Sequence, residues 1–239
     1  MLQYTDLLSV LFLDIETVSK NPDYSQVEER LQSLWEKKSG QLQHGKSEKT
    51  PSEMYHERAG IYAEFGKIIC ISCGVVVRSE TGFTFRLKSY HGDDEKKILQ
   101  DFSEMLNRSA GIKSLCAHNG KEFDFPYISR RLLIQGLPIP GILNLQGKKP
   151  WEVSHLDTME LWKFGDYKAY TSLDLLAAVF DIPTPKDDIS GADVGRVYWQ
   201  EKNIERIKSY CEKDVITTCQ VLLRMNGLNP FTQEQIIIT

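Results

Sequence analysis

Ser9-Val10-Leu11-Phe12-Leu13-Asp14-Ile15-Glu16-Thr17 is an apolar run that ends in two carboxylates. Side chains alternate between faces in an extended strand, so Asp14 and Glu16 leave the same side about 7 Å apart along the chain. Two acids so placed repel each other. A greasy strand ending in paired negative charge makes physical sense where a cation sits at that end. Asp-X-Glu also closes many solvated strand ends, so the pair needs support from elsewhere in the chain.

The chain has 239 residues, 41% hydrophobic and 26% charged, which is the balance of an ordinary globular protein. A single domain spanning 1–239 is the expectation. No basic segment precedes the first apolar run, and Asp14 interrupts that run long before it could cross a bilayer. No membrane association and a cytoplasmic location are therefore expected. Five cysteines scattered through apolar segments read as reduced core thiols. The formal net charge of -4 argues against a protein that coats nucleic acid through a basic stripe. It leaves room for an enzyme that holds a strand end in a local groove.

Residues from about 20 to 64 shift toward long polar side chains and look like an insertion. Ser25-Gln26-Val27-Glu28 has the capping-box pattern, and Val27, Leu31, Leu34 and Trp35 recur at helical spacing, predicting a helix to about Lys38. Residues 39–51 read as an exposed loop, and Ser52 to Phe65 as a second helix. The segment is either a lid or substrate guide at the site or a tolerated surface insertion. The second is favoured, because long insertions cost little.

Gly66 to Val77, the turn Ser79-Glu80-Thr81-Gly82 and Phe83 to Leu87 predict a strand, a tight turn and a strand. Cys70-Ile71-Ser72-Cys73 puts its two thiols on opposite faces of that strand, and no second pair exists, so zinc and redox readings are set aside. Asp94 to Ser109 is an amphipathic helix by its period, and Ser114 to His118 a short buried strand. Three strands then form an antiparallel meander, and the helix crosses over to a strand parallel to the first.

His118-Asn119-Gly120-Lys121-Glu122-Phe123-Asp124-Phe125-Pro126 leaves that strand through a glycine turn and enters a helix ending near Gly136. Asp124 could be an ordinary N-cap or a ligand, and both readings stay open here. Residues 137–155 are a connecting loop with the basic pair Lys148-Lys149. His155-Leu156-Asp157-Thr158 reads as a last short strand. His155 and Asp157 share a face but serve equally well as caps, so they are left out of the site. A helix over Ser172 to Phe180 is ended by Pro183 to Asp188, and Ile204 to Met225 is the long C-terminal helix. On it Tyr210 and Asp214 lie one turn apart on one face and can reach a common point.

Together, Phe12-Leu13-Asp14-Ile15-Glu16-Thr17, His118 to Pro126 and Tyr210-Cys211-Glu212-Lys213-Asp214 resemble, in order, the three signature segments of the DEDD superfamily of 3'-5' exonucleases. The tyrosine four residues before the last aspartate is similar to the DEDDy branch. Asn119 and Phe123-Asp124 with Pro126-Tyr127-Ile128 look most like the proofreading domain of family B DNA polymerases. The resemblance covers residues 8–18 and 66–225. It implies an α/β, ribonuclease H-like fold, with a mixed five-stranded sheet (antiparallel meander plus parallel strands) flanked by helices. The helical insertion at about 20–64 departs from the family's short connection.

The resemblance further implies that Asp14, Glu16, Asp124 and Asp214 hold two divalent ions, Mg2+ or Mn2+, which prefer such oxygen ligands. In that scheme Asp14 bridges the ions, Glu16 and Asp214 help hold one and Asp124 serves the other. Tyr210 orients the attacking water, while Thr17, Asn119 and Phe123 contact the terminal nucleotides. The expected activity is hydrolysis at the 3' ends of single-stranded DNA to nucleoside monophosphates, by an enzyme free-standing at Thr239. Digestion of RNA is the nearest alternative, and a non-catalytic nucleic-acid-binding module is the alternative of another class. Oligomeric state is not legible.

Overall fold

Behind one helical turn, α1 (Tyr4–Leu7), the opening apolar run forms β1 (Val10–Ser19) in the interior of a mixed sheet. The computed structural model describes residues 2–43, 49–80, 82–166, 168, 170–183 and 189–239. Helices α2 (Glu29–Leu42) and α3 (Pro51–Arg58) follow, then the hairpin of β2 (Gly66–Ser79) and β3 (Gly82–His91). Helix α4 (Glu95–Arg108), strand β4 (Ser114–Ala117), helix α5 (Asp124–Ile134) and strand β5 (Leu156–Asp157) come next. The chain ends with α6 (Thr158–Lys163), α7 (Leu173–Val179), the short α8 (Val194–Arg196), the long α9 (Ile204–Met225) and β6 (Ile236–Ile238). Among the described residues no helix is long and apolar enough to cross a membrane.

The sheet order is β5-β4-β1-β2-β3-β6. β1, β2 and β3 form the antiparallel meander, and β4 runs parallel to β1. The sheet has six strands, not the expected five. The extra one, β6, is three β-branched residues laid parallel along the edge of β3. A strand that short has too few alternations to declare itself, and it forms because the open edge of β3 offers it hydrogen-bond partners.

Alternation along β1 divides the core in two. Leu11, Leu13 and Ile15 pack with Leu99 and Phe102 of α4 and Phe125 and Ile128 of α5. Val10 and Phe12 point the other way, into a cluster with Val215, Cys219 and Leu222 of α9. Asp14 and Glu16 continue the Phe12 row, so the two acids come out under α9.

The insertion departs from its expected boundaries. Glu28, not Ser25, caps α2, because Asp23 already accepts the Ser25 N–H in a preceding tight turn. The helix runs on to Leu42, and residues 44–48 of the expected loop lie outside the described residues. α3 begins at Pro51, capped by Thr50, and stops at Arg58 rather than near Phe65. Gly60 there passes tightly against the backbone of Val18, which a continuing helix with side chains could not do. Trp35, Tyr55, Met54, Ala59 and Phe65 give the insertion its own small core. Thr81 and residues 184–188, on which a turn and a helix stop were placed, are also outside the described residues.

α4, α5, β2 and the end of the insertion are tied by one buried ion pair. Arg131 and Glu95 are almost fully buried and bonded at 2.5 Å. Glu95 also accepts the Ile68 N–H at 2.8 Å, and Arg131 donates to the Ala63 carbonyl at 2.7 Å. Removing one member leaves the other charge buried and unpaired, so Arg131→Met should lower the unfolding free energy by about 3 kcal/mol. Urea denaturation measures this, and an unchanged midpoint would contradict the role given to the pair.

Candidate active site

The site opens where β4 stops. β4 pairs with β1 only at Val10, Leu11 and Phe12, and farther along β1 the Ile15 N–H donates instead to Asp124 Oδ1 at 3.1 Å. This bond decides between the two readings of Asp124. Helix α5 starts at Asp124 itself, with Phe123 in the N-cap position, and the carboxylate reaches across to β1 rather than capping. The β1–β2 register slips between Glu16 and Thr17, as at a β-bulge. Such a slip re-aims side chains at the end of a ladder.

α9 crosses above the two β1 acids. The Cys211 thiol donates to Asp14 Oδ2 at 3.3 Å and lies 3.4 Å from the Asp14 carbonyl oxygen. Asp14, Glu16 and Cys211 present atoms within 4.8 Å of one another. Asp214 is close enough to act on Asp14, Glu16 and Asp124, and the Tyr210 hydroxyl hydrogen-bonds to it. The fold thus brings together all five residues expected at the centre.

Their electrostatics are those of acids forced together. Burial holds Asp14 well above the usual carboxylate range, and Asp124, Glu16 and Asp214 add to the shift. Burial and then Asp214 do the same to Glu16. Asp124 is pushed up to about 7, first by burial, with Asp157 and Asp214 adding and the Ile15 N–H opposing. Tyr210 is raised by burial and by Asp214, so its phenol stays protonated at any neutral pH. An oxygen-only set of crowded carboxylates fits a hard divalent cation.

A cleft of about 420 Å3 opens beside Glu16, lined by Thr17, Phe123, His56, Gly60, Ile61 and Trp199. The Thr17 hydroxyl bonds to Tyr127, which donates to the Gly60 carbonyl at 2.7 Å. The Phe123 ring tilts against Tyr127 at 5.3 Å. The insertion therefore forms one wall of this cleft, which the surface-insertion reading does not explain. Asn119, expected with Thr17 and Phe123, lines a different groove instead. Its left-handed backbone (φ 64) aims its N–H at Asp157 Oδ1, 3.0 Å away.

Asp157 and His155 have structural work of their own. Asp157 accepts the N–H groups of Asn119, Lys121, Met159 and Glu160. His155 lies between the Leu115 N–H and the Ile142 carbonyl. Two features at the site escaped the sequence reading. One is Cys211, whose place beside Tyr210 in the third signature segment is the signal that points to it. Trp199 stands on a five-residue π-helical stretch, Val197–Glu201, with its indole N–H on Ser19 Oγ at 3.2 Å. Hydrophobic spacing does not distinguish that local winding.

A model of the family described as "Predicted 3'-5' exonuclease related to the exonuclease domain of PolB" matches residues 61–236. Among solved structures, the chain is similar to the family B DNA polymerase from the hyperthermophilic archaeon Pyrobaculum calidifontis, with 16% identity and a TM-score of 0.56. The match covers 90% of this chain and 24% of the polymerase, so this chain spans about a quarter of that protein. At that identity the likeness is one of fold. No curated protein matches.

The raised carboxylates have a consequence for stability. A group whose folded pKa lies above its unfolded value adds stability at low pH and loses it as pH rises through the folded value. For Asp124 that window runs from an aspartate's ordinary value of 3.8 up to about 7. In EDTA the protein should be less stable at pH 8 than at pH 5.5, by on the order of a few kcal/mol. Asp124→Asn should flatten that dependence and raise the melting temperature at pH 8. Parallel pH profiles for the two proteins would contradict the crowding described here.

Proposed function

Because this chain belongs to the family of predicted 3'-5' exonucleases related to the exonuclease domain of PolB, we propose that it hydrolyses the 3' ends of single-stranded DNA and releases nucleoside monophosphates. The observation that carries this reading is the convergence of Asp14, Glu16, Asp124 and Asp214 from three distant segments, with Tyr210 hydrogen-bonded to the last of them. These four acids would hold the metal, with Asp14, which feels the other three, at the centre. Bound there, a pair of Mg2+ or Mn2+ ions would supply a water activated for attack and a counter-charge for the leaving oxygen.

The chain's own groups do the rest. Tyr210, held protonated, is a hydrogen-bond donor and not a base, so its task is to orient the attacking water. The Cys211 thiol holds the Asp14 carboxylate in place through its hydrogen bond to Oδ2. The cleft beside Glu16 receives the terminal nucleoside, with Thr17 and Phe123 against it and the insertion as its far wall. Asn119 contacts the strand from the neighbouring groove.

End-labelled single-stranded DNA incubated with Mn2+ should give a ladder shortening from the 3' end. Asp14→Ala should abolish it. Tyr210→Phe should slow it about 10²-fold, the usual scale for a misoriented reactant, while Mn2+ binding by calorimetry stays intact. No ladder, or one unchanged in Asp14→Ala, refutes the reading.

A further inference from the structure

The stretch after α5 holds three large aromatic rings in solvent. Trp151 is 78% exposed, Phe164 91% and Tyr170 66%. Single exposed apolar residues are ordinary, but three rings within twenty residues, two of them under lysines, are not. Lys149 Nζ lies 5.3 Å from the Trp151 ring centre and Lys163 Nζ 4.4 Å from that of Tyr170. Phe164 carries a backbone cost as well. It ends α6 in the left-handed region (φ 44), where a bulky residue is strained, and its ring meets Trp162 only edge-on at 6.4 Å.

Beside these rings runs a groove of about 570 Å3, with Leu133, Ile139, Leu143 and Leu145 in its apolar lining. Lys121, Arg130, Lys148 and Lys163 supply its cations. Of the acids lining it, Glu160 is paired with Lys121 at 2.5 Å, and Asp157 is buried under four backbone N–H groups. Glu122 is then left to offset Arg130, Lys148 and Lys163. This is a local positive surface on a chain whose net charge is -4. The groove starts at Asn119 and Glu122, immediately before Phe123, which lines the cleft beside Glu16, and Asp124, one of the four acids.

We propose that this groove and the three rings beside it form a track for single-stranded nucleic acid, holding the part of the strand 5' of the bond being cut. The proposal rests on the exonuclease reading and assigns a surface that the reading leaves open. Arg130, Lys148 and Lys163 take the phosphates, and Trp151, Phe164 and Tyr170 take base faces. Stacking on aromatic rings tolerates any base, so the track is indifferent to sequence. The continuity at 119–124 delivers the strand from the track to the acids.

The test separates binding from cutting. Anisotropy of a labelled dodecathymidylate in EDTA reads the track alone, and turnover of a thymidine dinucleotide with Mn2+ reads the centre alone. The double variants Trp151→Ala/Phe164→Ala and Arg130→Glu/Lys148→Glu should each weaken binding of the long strand about tenfold or more. The second should also flatten the salt dependence by about two counterions. Turnover of the dinucleotide should not change. Wild-type affinity in both variants overturns the track and leaves the exonuclease reading standing. Loss of dinucleotide turnover in parallel with binding also overturns it, since that would be general damage. Strand binding lost in the variants of a protein that cuts nothing would support the track and sink the exonuclease reading.

Discussion

The crowding of four carboxylates, Glu16 and Asp124 buried and Asp14 and Asp214 half-buried, is the constraint around which this molecule is arranged. Burial raises the proton affinity of Asp14, Glu16 and Asp124, and neighbouring carboxylates, Asp214 among them, raise it further. Left to themselves the acids would separate into water. They are held by the two apolar faces of β1, one clamped by α4 and α5 and the other by α9. Phe12 lies two residues before Asp14 on β1 and Val215 directly after Asp214 on α9, both in one apolar cluster, so the packing that stabilises the fold also fixes the acids at close range.

Short polar bonds set the fine placement. The truncated pairing of β4 frees the Ile15 N–H, and that donor fixes the Asp124 carboxylate across the strand gap. Cys211 does the same for Asp14 from α9. Tyr127 links Thr17 at the mouth of the cleft to Gly60 in the insertion, and Gly66 lies so close beneath the Tyr127 hydroxyl that a Cβ there would collide with it. These bonds tie the insertion to β1, so a change in its packing is felt at the cleft beside Glu16.

The segment 119–124 joins two surfaces with different tasks. On one side lie the cleft beside Glu16 and the acids, and on the other a groove with cations and exposed rings. An acidic protein can in this way hold a polyanion. In the proposed reading, negative charge is concentrated where a metal would be bound, and positive charge along the path the strand would take. The family B polymerase of similar fold is about four times as long as this chain, which aligns with 24% of it.

The chain's local patterns settled a good deal on their own. The alternation that brings Asp14 and Glu16 to one face, the meander with its parallel crossover, and the bounds of the helix bearing Tyr210 and Asp214 all follow from periodicity and spacing. Such features depend on neighbours a few residues away, and sequence order displays those neighbours. Tertiary structure decided the rest. It turned Asp124 from a possible cap into a partner of β1, added β6 to an open edge, divided Thr17 and Phe123 from Asn119, and made the insertion a wall of the cleft. Each of those outcomes depends on which surfaces come into contact across long stretches of chain, and contact of that kind is set by packing in three dimensions rather than by any residue's near neighbours.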